Sequence, residues 1–172
     1  MSFTTFLLAA TVLAITPGPG LAYVVARTVA GGRAEGLASC CGTALGGLLH
    51  VVAAALGLSL LIAQSAMAFN LLKYLGAAYL VYLGIRMLVR GQGVDAVTPA
   101  AALGSRRALL EGLVVEALNV KTALFFLAFL PQFVAPGPTM AVQLALLGCI
   151  CVALNTLVDV AVDDQDHTGD WL

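Results

Sequence analysis

Residues 3–26 read FTTFLLAATVLAITPGPGLAYVVA, a run whose composition sets the fold class. It contains no charged residue, and the first basic residue of the chain is Arg27. As a helix it is long enough to cross the roughly 30 Å hydrocarbon core of a bilayer. A cleaved signal peptide would begin with a basic segment and carry a shorter apolar core. Here Met1 and Ser2 lead directly into the apolar run, which predicts a retained transmembrane helix. In its interior stands Thr16-Pro17-Gly18-Pro19-Gly20. Each proline removes a backbone donor and clashes with the preceding turn, so the helix must kink or unwind there. Unwound backbone at membrane depth is tolerated only where it is buried in protein or lines a cavity. The break therefore reads as part of a binding site, with a plain packing kink as the alternative.

Working outward, the 172 residues are 61% hydrophobic and 10% charged, with a mean hydropathy of +1.02. Soluble domains sit near 45–50% apolar and about 25% charged. The excess excludes a soluble globule, a disordered chain and a disulfide-stapled mini-protein. Eight Lys/Arg against nine Asp/Glu leave a net charge of −1, so no basic field attracts nucleic acid. Five apolar segments follow one another: Phe3–Ala26, Leu37–Ala63, Ala68–Arg90, Glu111–Ala135 and Met140–Val162. The ten-residue alternation of a barrel strand is absent, which predicts an all-α polytopic bundle of five transmembrane helices over residues 1–162. Arg27, Arg33, Arg86, Arg90, Arg106 and Arg107 gather at the first and third connections. The positive-inside rule makes those connections cytoplasmic and the N-terminus external, with Lys73 snorkelling at the outer side. The acidic stretch Asp163–Leu172 is expected to lie outside the fold. It reads either as a solvated cytoplasmic tail or as the replacement of a missing sixth helix.

Polar residues inside the apolar segments carry the functional information, because lipid offers them no partner. Glu116, Asn119 and Lys121 lie in the fourth segment. A lone ammonium at mid-membrane costs about 2.5–3.5 kcal/mol even on insertion scales, so Lys121 needs a partner or a water path. Glu116 is five residues away and poorly placed on a straight helix; Asp159 and the break in the first segment are alternatives. A late start of the span near Lys121 would instead put these charges at the interface. Pro17 is ten residues from Arg27 and Asn119 eight from Glu111, so both sites lie roughly 12–15 Å from the inner surface. Interrupted helices at matching depth in two halves point to a transporter site between inverted repeats. His50, central in the second segment, reads as a packed residue or a proton carrier. Asn155 and Asp159 share a helix face and either line the same cavity or sit near the inner surface. Gly42, Gly46 and Gly47 fit close helix packing. Cys40, Cys41, Cys149 and Cys151 share no face and have no His at ligand spacing, so they read as small buried hydrophobes, with no metal or cofactor.

Four ordered motifs resemble the LysE/RhtB amino-acid exporters of bacterial cytoplasmic membranes. They are Thr16-Pro17-Gly18-Pro19, the series Gly36, Gly42 and Gly46, the run from Lys73-Tyr74-Leu75-Gly76 to Tyr82-Leu83-Gly84, and Asn119-Val120-Lys121 with Leu130-Pro131-Gln132-Phe133. The resemblance covers residues 1–135 well and 136–160 loosely. It implies proton-coupled efflux of amino acids or close derivatives. The broken first and fourth helices fit alternating access around one site, with Thr16, Pro17, Gly18, Pro19, Glu116, Asn119 and Lys121 expected at the substrate. A substrate ammonium would be met by Glu116, Asp159 or carbonyls freed near Thr16–Gly18. A substrate carboxylate would be met by Lys121 or by the helix N-terminus after the break. No nucleophile elbow, phosphate loop or metal-spaced carboxylate cluster supports an enzyme. The alternative function is a truncated, non-transporting membrane product or a small membrane scaffold. A homodimer covering the open face of the bundle is expected.

Overall fold

A computed structural model describes residues 2–58, 64–90, 101–135 and 137–168, and every regular element among them is helical. Helix α1 is Phe3–Ile15, and its N-terminus is capped by the Ser2 hydroxyl, which accepts from the Thr5 N–H. The chain leaves helical geometry at Thr16–Gly18 and resumes with α2, Pro19–Ala53, whose first residue is a proline. Proline suits that position, since the first helical N–H has no partner in any case. A single π turn, Ala54–Leu58, continues α2.

Within α2 the backbone turns at Gly32, where φ is 71° and ψ is −174°. A side chain on Gly20 would lie 3.8 Å from Thr43, and one on Gly36 would collide with the Thr28 hydroxyl. Residues equally far before and after Gly32 thus face each other, and α2 is an antiparallel hairpin of two helical arms. This corrects the expectation of a ten-residue loop at Arg27–Gly36. One glycine in a left-handed conformation makes the turn, and the flanking residues stay helical. The expected first span, Phe3–Ala26, is accordingly α1 plus most of the first arm of α2.

Helix α3, Ala66–Arg90, packs through Gly76, where an added Cβ would lie 3.0 Å from that of Ala128. Helices α4, Ser105–Ala117, and α5, Val120–Leu124, are separated by a break at Leu118–Asn119. The α5 segment continues as a π turn, Phe125–Phe129, and a 3₁₀ turn, Leu130–Phe133. It is bent by 42° from α4. Helix α6 is Met140–Thr168.

Two boundaries differ from those expected. The fourth segment begins at Ser105 rather than Glu111, because the arginine-bearing turn joins the helix. The last helix runs past Val162, and Asp163, expected outside the fold, is buried and accepts a 2.5 Å hydrogen bond from Thr28. The Thr28 hydroxyl satisfies one carboxylate oxygen and leaves the other, buried, without a hydrogen bond, a placement that composition alone does not reveal. Residues 59–63, 91–100 with Pro99, Pro136, and 169–172 of the acidic stretch lie outside the described residues.

The core forms where α1, the end of α2, the α5 continuation and α6 meet, with Phe6, Leu130 and Leu144 fully buried. Phe6 meets Phe133 edge-on with ring centroids 5.6 Å apart. Side chains on Gly42 and Gly46 would strike the Leu109 and Leu113 carbonyls, and one on Gly112 would lie 3.0 Å from the Ser39 carbonyl. Small residues therefore let α2 and α4 approach backbone to backbone, as in tightly packed membrane helices. The outer surface exposes Leu8, Val12, Leu71, Leu146 and Leu157, which suits lipid contact. By length and apolarity α2 and α6 qualify as membrane-crossing helices, and the bent α4–α5 pair makes a third.

Candidate functional site

The two breaks meet. Pro17 has no N–H to give the Leu13 carbonyl, and Pro19 none to give that of Ile15. The last turn of α1 is closed instead by Thr16, whose N–H and hydroxyl both donate to the Val12 carbonyl, at 3.1 and 2.5 Å. Across the cavity, Lys121 at the start of α5 sends its ammonium to this exposed end. Its Nζ donates to the carbonyls of Leu13, at 2.9 Å, and Thr16, at 2.6 Å. A side chain on Gly18 would come within 3.2 Å of that Nζ, so glycine leaves the ammonium its place. Among the described residues no carboxylate lies within ion-pair distance of Lys121.

The second break is held by Asn119. Its Oδ1 accepts from the Lys121 N–H at 3.1 Å, capping α5, while its Nδ2 donates to Glu116 at 2.9 Å. The other Glu116 oxygen accepts from the Thr122 hydroxyl at 2.7 Å. The buried Glu116 carboxylate thus ties the end of α4 to the start of α5 across the break. It also lies against Gly20, where any side chain would clash with it. His50 bonds the Glu116 carbonyl at 2.9 Å and packs on Phe126. On the α6 side the buried Asp159 accepts from the Thr43 hydroxyl at 2.9 Å.

These groups surround a cavity of about 500 Å³ counted to its open mouth, narrow within. Thr16, Gly18, Gly20, Leu21, Thr43, Glu116, Asn119, Lys121, Thr122, Asn155, Thr156 and Asp159 line it. Thr16, Gly18, Glu116, Asn119, Lys121, Asn155 and Asp159 are thereby brought together around one cavity. Pro17 and Pro19 are exposed and shape the break rather than the wall, and His50 braces the break from behind. Thr43 and Thr122 were missed, since a lone threonine in an apolar helix carries no signal until its partner is known. Cys40 and Cys151 are buried as expected, but Cys41 and Cys149 face outward.

A second polar cluster was also missed. At the Gly32 end of the α2 hairpin, Arg27 and Glu35 are both buried and lie 3.8 Å apart. Glu35 accepts from the N–H groups of Leu103 and Gly104, at 2.7 and 2.6 Å, and Arg27 donates to the Ala101 carbonyl at 3.2 Å. Arg27 also lies over the Tyr23 ring. This cluster pins the segment leading into α4 onto the hairpin. Two opposite charges flanking a Gly-Gly pair were its sequence signal.

Known proteins resemble this chain along most of its length. Residues 11–162 match the family model of the LysE type translocator. An uncharacterized membrane protein of Vibrio cholerae is 32% identical over 153 residues, covering 89% of this chain and 75% of its own. The homoserine/homoserine lactone efflux protein of Salmonella typhimurium is 31% identical, covering 89% and 74%. The leucine efflux protein of Salmonella choleraesuis is 30% identical over 140 residues, covering 78% and 64%. No solved structure matches. With the family model matched along nearly the whole membrane bundle, this chain belongs to the LysE type translocators.

Proposed function

We propose that the chain exports amino acids or close derivatives across the bacterial cytoplasmic membrane, coupled to the proton gradient, by alternating access around its two broken helices. The observation that carries this reading is the pair of hydrogen bonds from Lys121, at one break, to the Leu13 and Thr16 carbonyls at the other. A zwitterion needs an acceptor set and a donor set a few ångströms apart, and the cavity offers both. The exposed carbonyls of α1 and the carboxylates of Glu116 and Asp159 suit an ammonium. Lys121 and the N-terminus of α2 suit a carboxylate, since Gly18 gives that terminus no side-chain cap. The related efflux proteins for homoserine, its lactone and leucine support the substrate class.

Five crossings account for the elements: α1 with the first arm of α2, the second arm, α3, the α4–α5 pair, and α6. The first and fourth crossings then run in opposite directions and carry their breaks to the same depth, the arrangement of inverted repeats. Arginines at the Gly32 turn and in the first turn of α4 favour a cytoplasmic position for that end and an external N-terminus. Asp159 and Glu116, the cavity carboxylates, are the candidates for proton carriage.

Cells expressing the chain and preloaded with labelled homoserine or leucine should release label faster than cells carrying the empty vector. Release should slow when the proton gradient is collapsed. Equal release at matched membrane expression would overturn the reading.

A further inference from the structure

We infer that the Lys121 ammonium occupies, in the empty site, the subsite that takes a substrate's primary ammonium, so that the substrate binds by displacing it. The inference rests on the proposed amino-acid substrate and assigns one end of it. Pro17 deprives the Leu13 carbonyl of its helical donor, and the break deprives that of Thr16. Two acceptors are thus left converging on one point, and Lys121 fills it at 2.9 and 2.6 Å. Of the cavity carboxylates, Glu116 takes hydrogen bonds on both oxygens, from Asn119 and Thr122, and Asp159 takes one from Thr43. The carbonyl pair is therefore where a single cation is already held.

A substrate ammonium is the same chemical group as the lysine terminus and can replace it bond for bond. Lys121 reaches this point on a flexible four-carbon stem from the opposite break, and the bare Gly18 makes room for that stem. Once displaced, its ammonium is free to pair with the substrate carboxylate a few ångströms away. Lys121 then selects for molecules that carry both groups. An amine without a carboxylate must expel the lysine and gives it nothing in return.

The test compares ligands with and without the carboxylate on the full chain in detergent. The pairs are L-homoserine against 3-aminopropan-1-ol, and L-leucine against 3-methylbutylamine. In K121M the amino acids should bind about tenfold more weakly, the scale of one charge-assisted hydrogen bond, while the amines bind about tenfold more tightly. Weakening of both classes, or no change in either, would overturn the displacement. A measurement on the wild type needs no variant. Amidination with methyl acetimidate in excess over the amine, followed by peptide mapping, should label Lys121, relative to Lys73 in the same sample, several-fold faster with saturating amine than in the empty site. Labelling that is unchanged or slower would overturn the inference just as directly. If wild type bound neither amino acid, the proposed substrate class itself would fall, which is a different outcome from binding without the crossover.

Discussion

Glu116 shows what a single residue does here and how far its sequence announced it. A carboxylate in an apolar helix is conspicuous, so its presence at a site was legible. Its partners were not. On a straight helix Glu116 and Lys121 point apart, and neither Asn119 nor Thr122 stands out as the donor. The break at Leu118–Asn119 turns the chain so that both reach the carboxylate. Replacing Thr122 by valine keeps the shape and removes one donor to a buried carboxylate. Thermal unfolding in detergent should show a loss of about 1–3 kcal/mol, with most of the exchange activity retained. Glu116→Gln should cost a similar amount, because its amide group would turn a donor toward an existing donor. Unlike T122V, it should also abolish transport, since the cavity loses a charge. If E116Q transported normally, Glu116 would be a structural tie only.

At the scale of elements, the helix breaks were legible and the hairpin was not. Two prolines within three residues cannot continue a helix, whatever surrounds them. The Gly32 turn is different, because Gly31-Gly32 also occurs in continuous membrane helices, and only the facing of Thr28 with Gly36 reveals the reversal. Gly32→Ala should destabilise the fold by about 1–3 kcal/mol, since a positive φ with extended ψ is open essentially to glycine alone. Chemical unfolding would check it, and an unchanged midpoint would argue against the turn. Gly46→Leu should be worse, at about 1–3 kcal/mol or more, since its Cβ would already lie 2.7 Å from the Leu113 carbonyl. Pro17→Ala tests the first break differently. It returns a donor to the Leu13 carbonyl and so competes with Lys121 for it. The variant should be at least as stable as wild type yet slower in exchange. Faster exchange would mean that the break is not needed open.

For the whole molecule, hydropathy identified a membrane bundle because 61% of the chain is apolar and its charges are confined to few places. It erred where charge is buried rather than solvated. Asp163 belonged by composition to an acidic tail, yet it seats against Thr28 inside the fold. Arg27 and Glu35 fasten the segment before α4 to the α2 hairpin, a contact between residues far apart in sequence. That cluster and the cavity sit at the two ends of the first arm of α2. Passage of amino acids through the cavity where the two broken helices meet is tested by counterflow of labelled homoserine and leucine in proteoliposomes, with wild type and Lys121→Ala side by side. Saturable exchange of at least one amino acid by wild type is expected, with its loss in the variant at equal reconstitution. Wild type without exchange, while a reconstituted homoserine efflux relative is active, would contradict it, as would full exchange by Lys121→Ala.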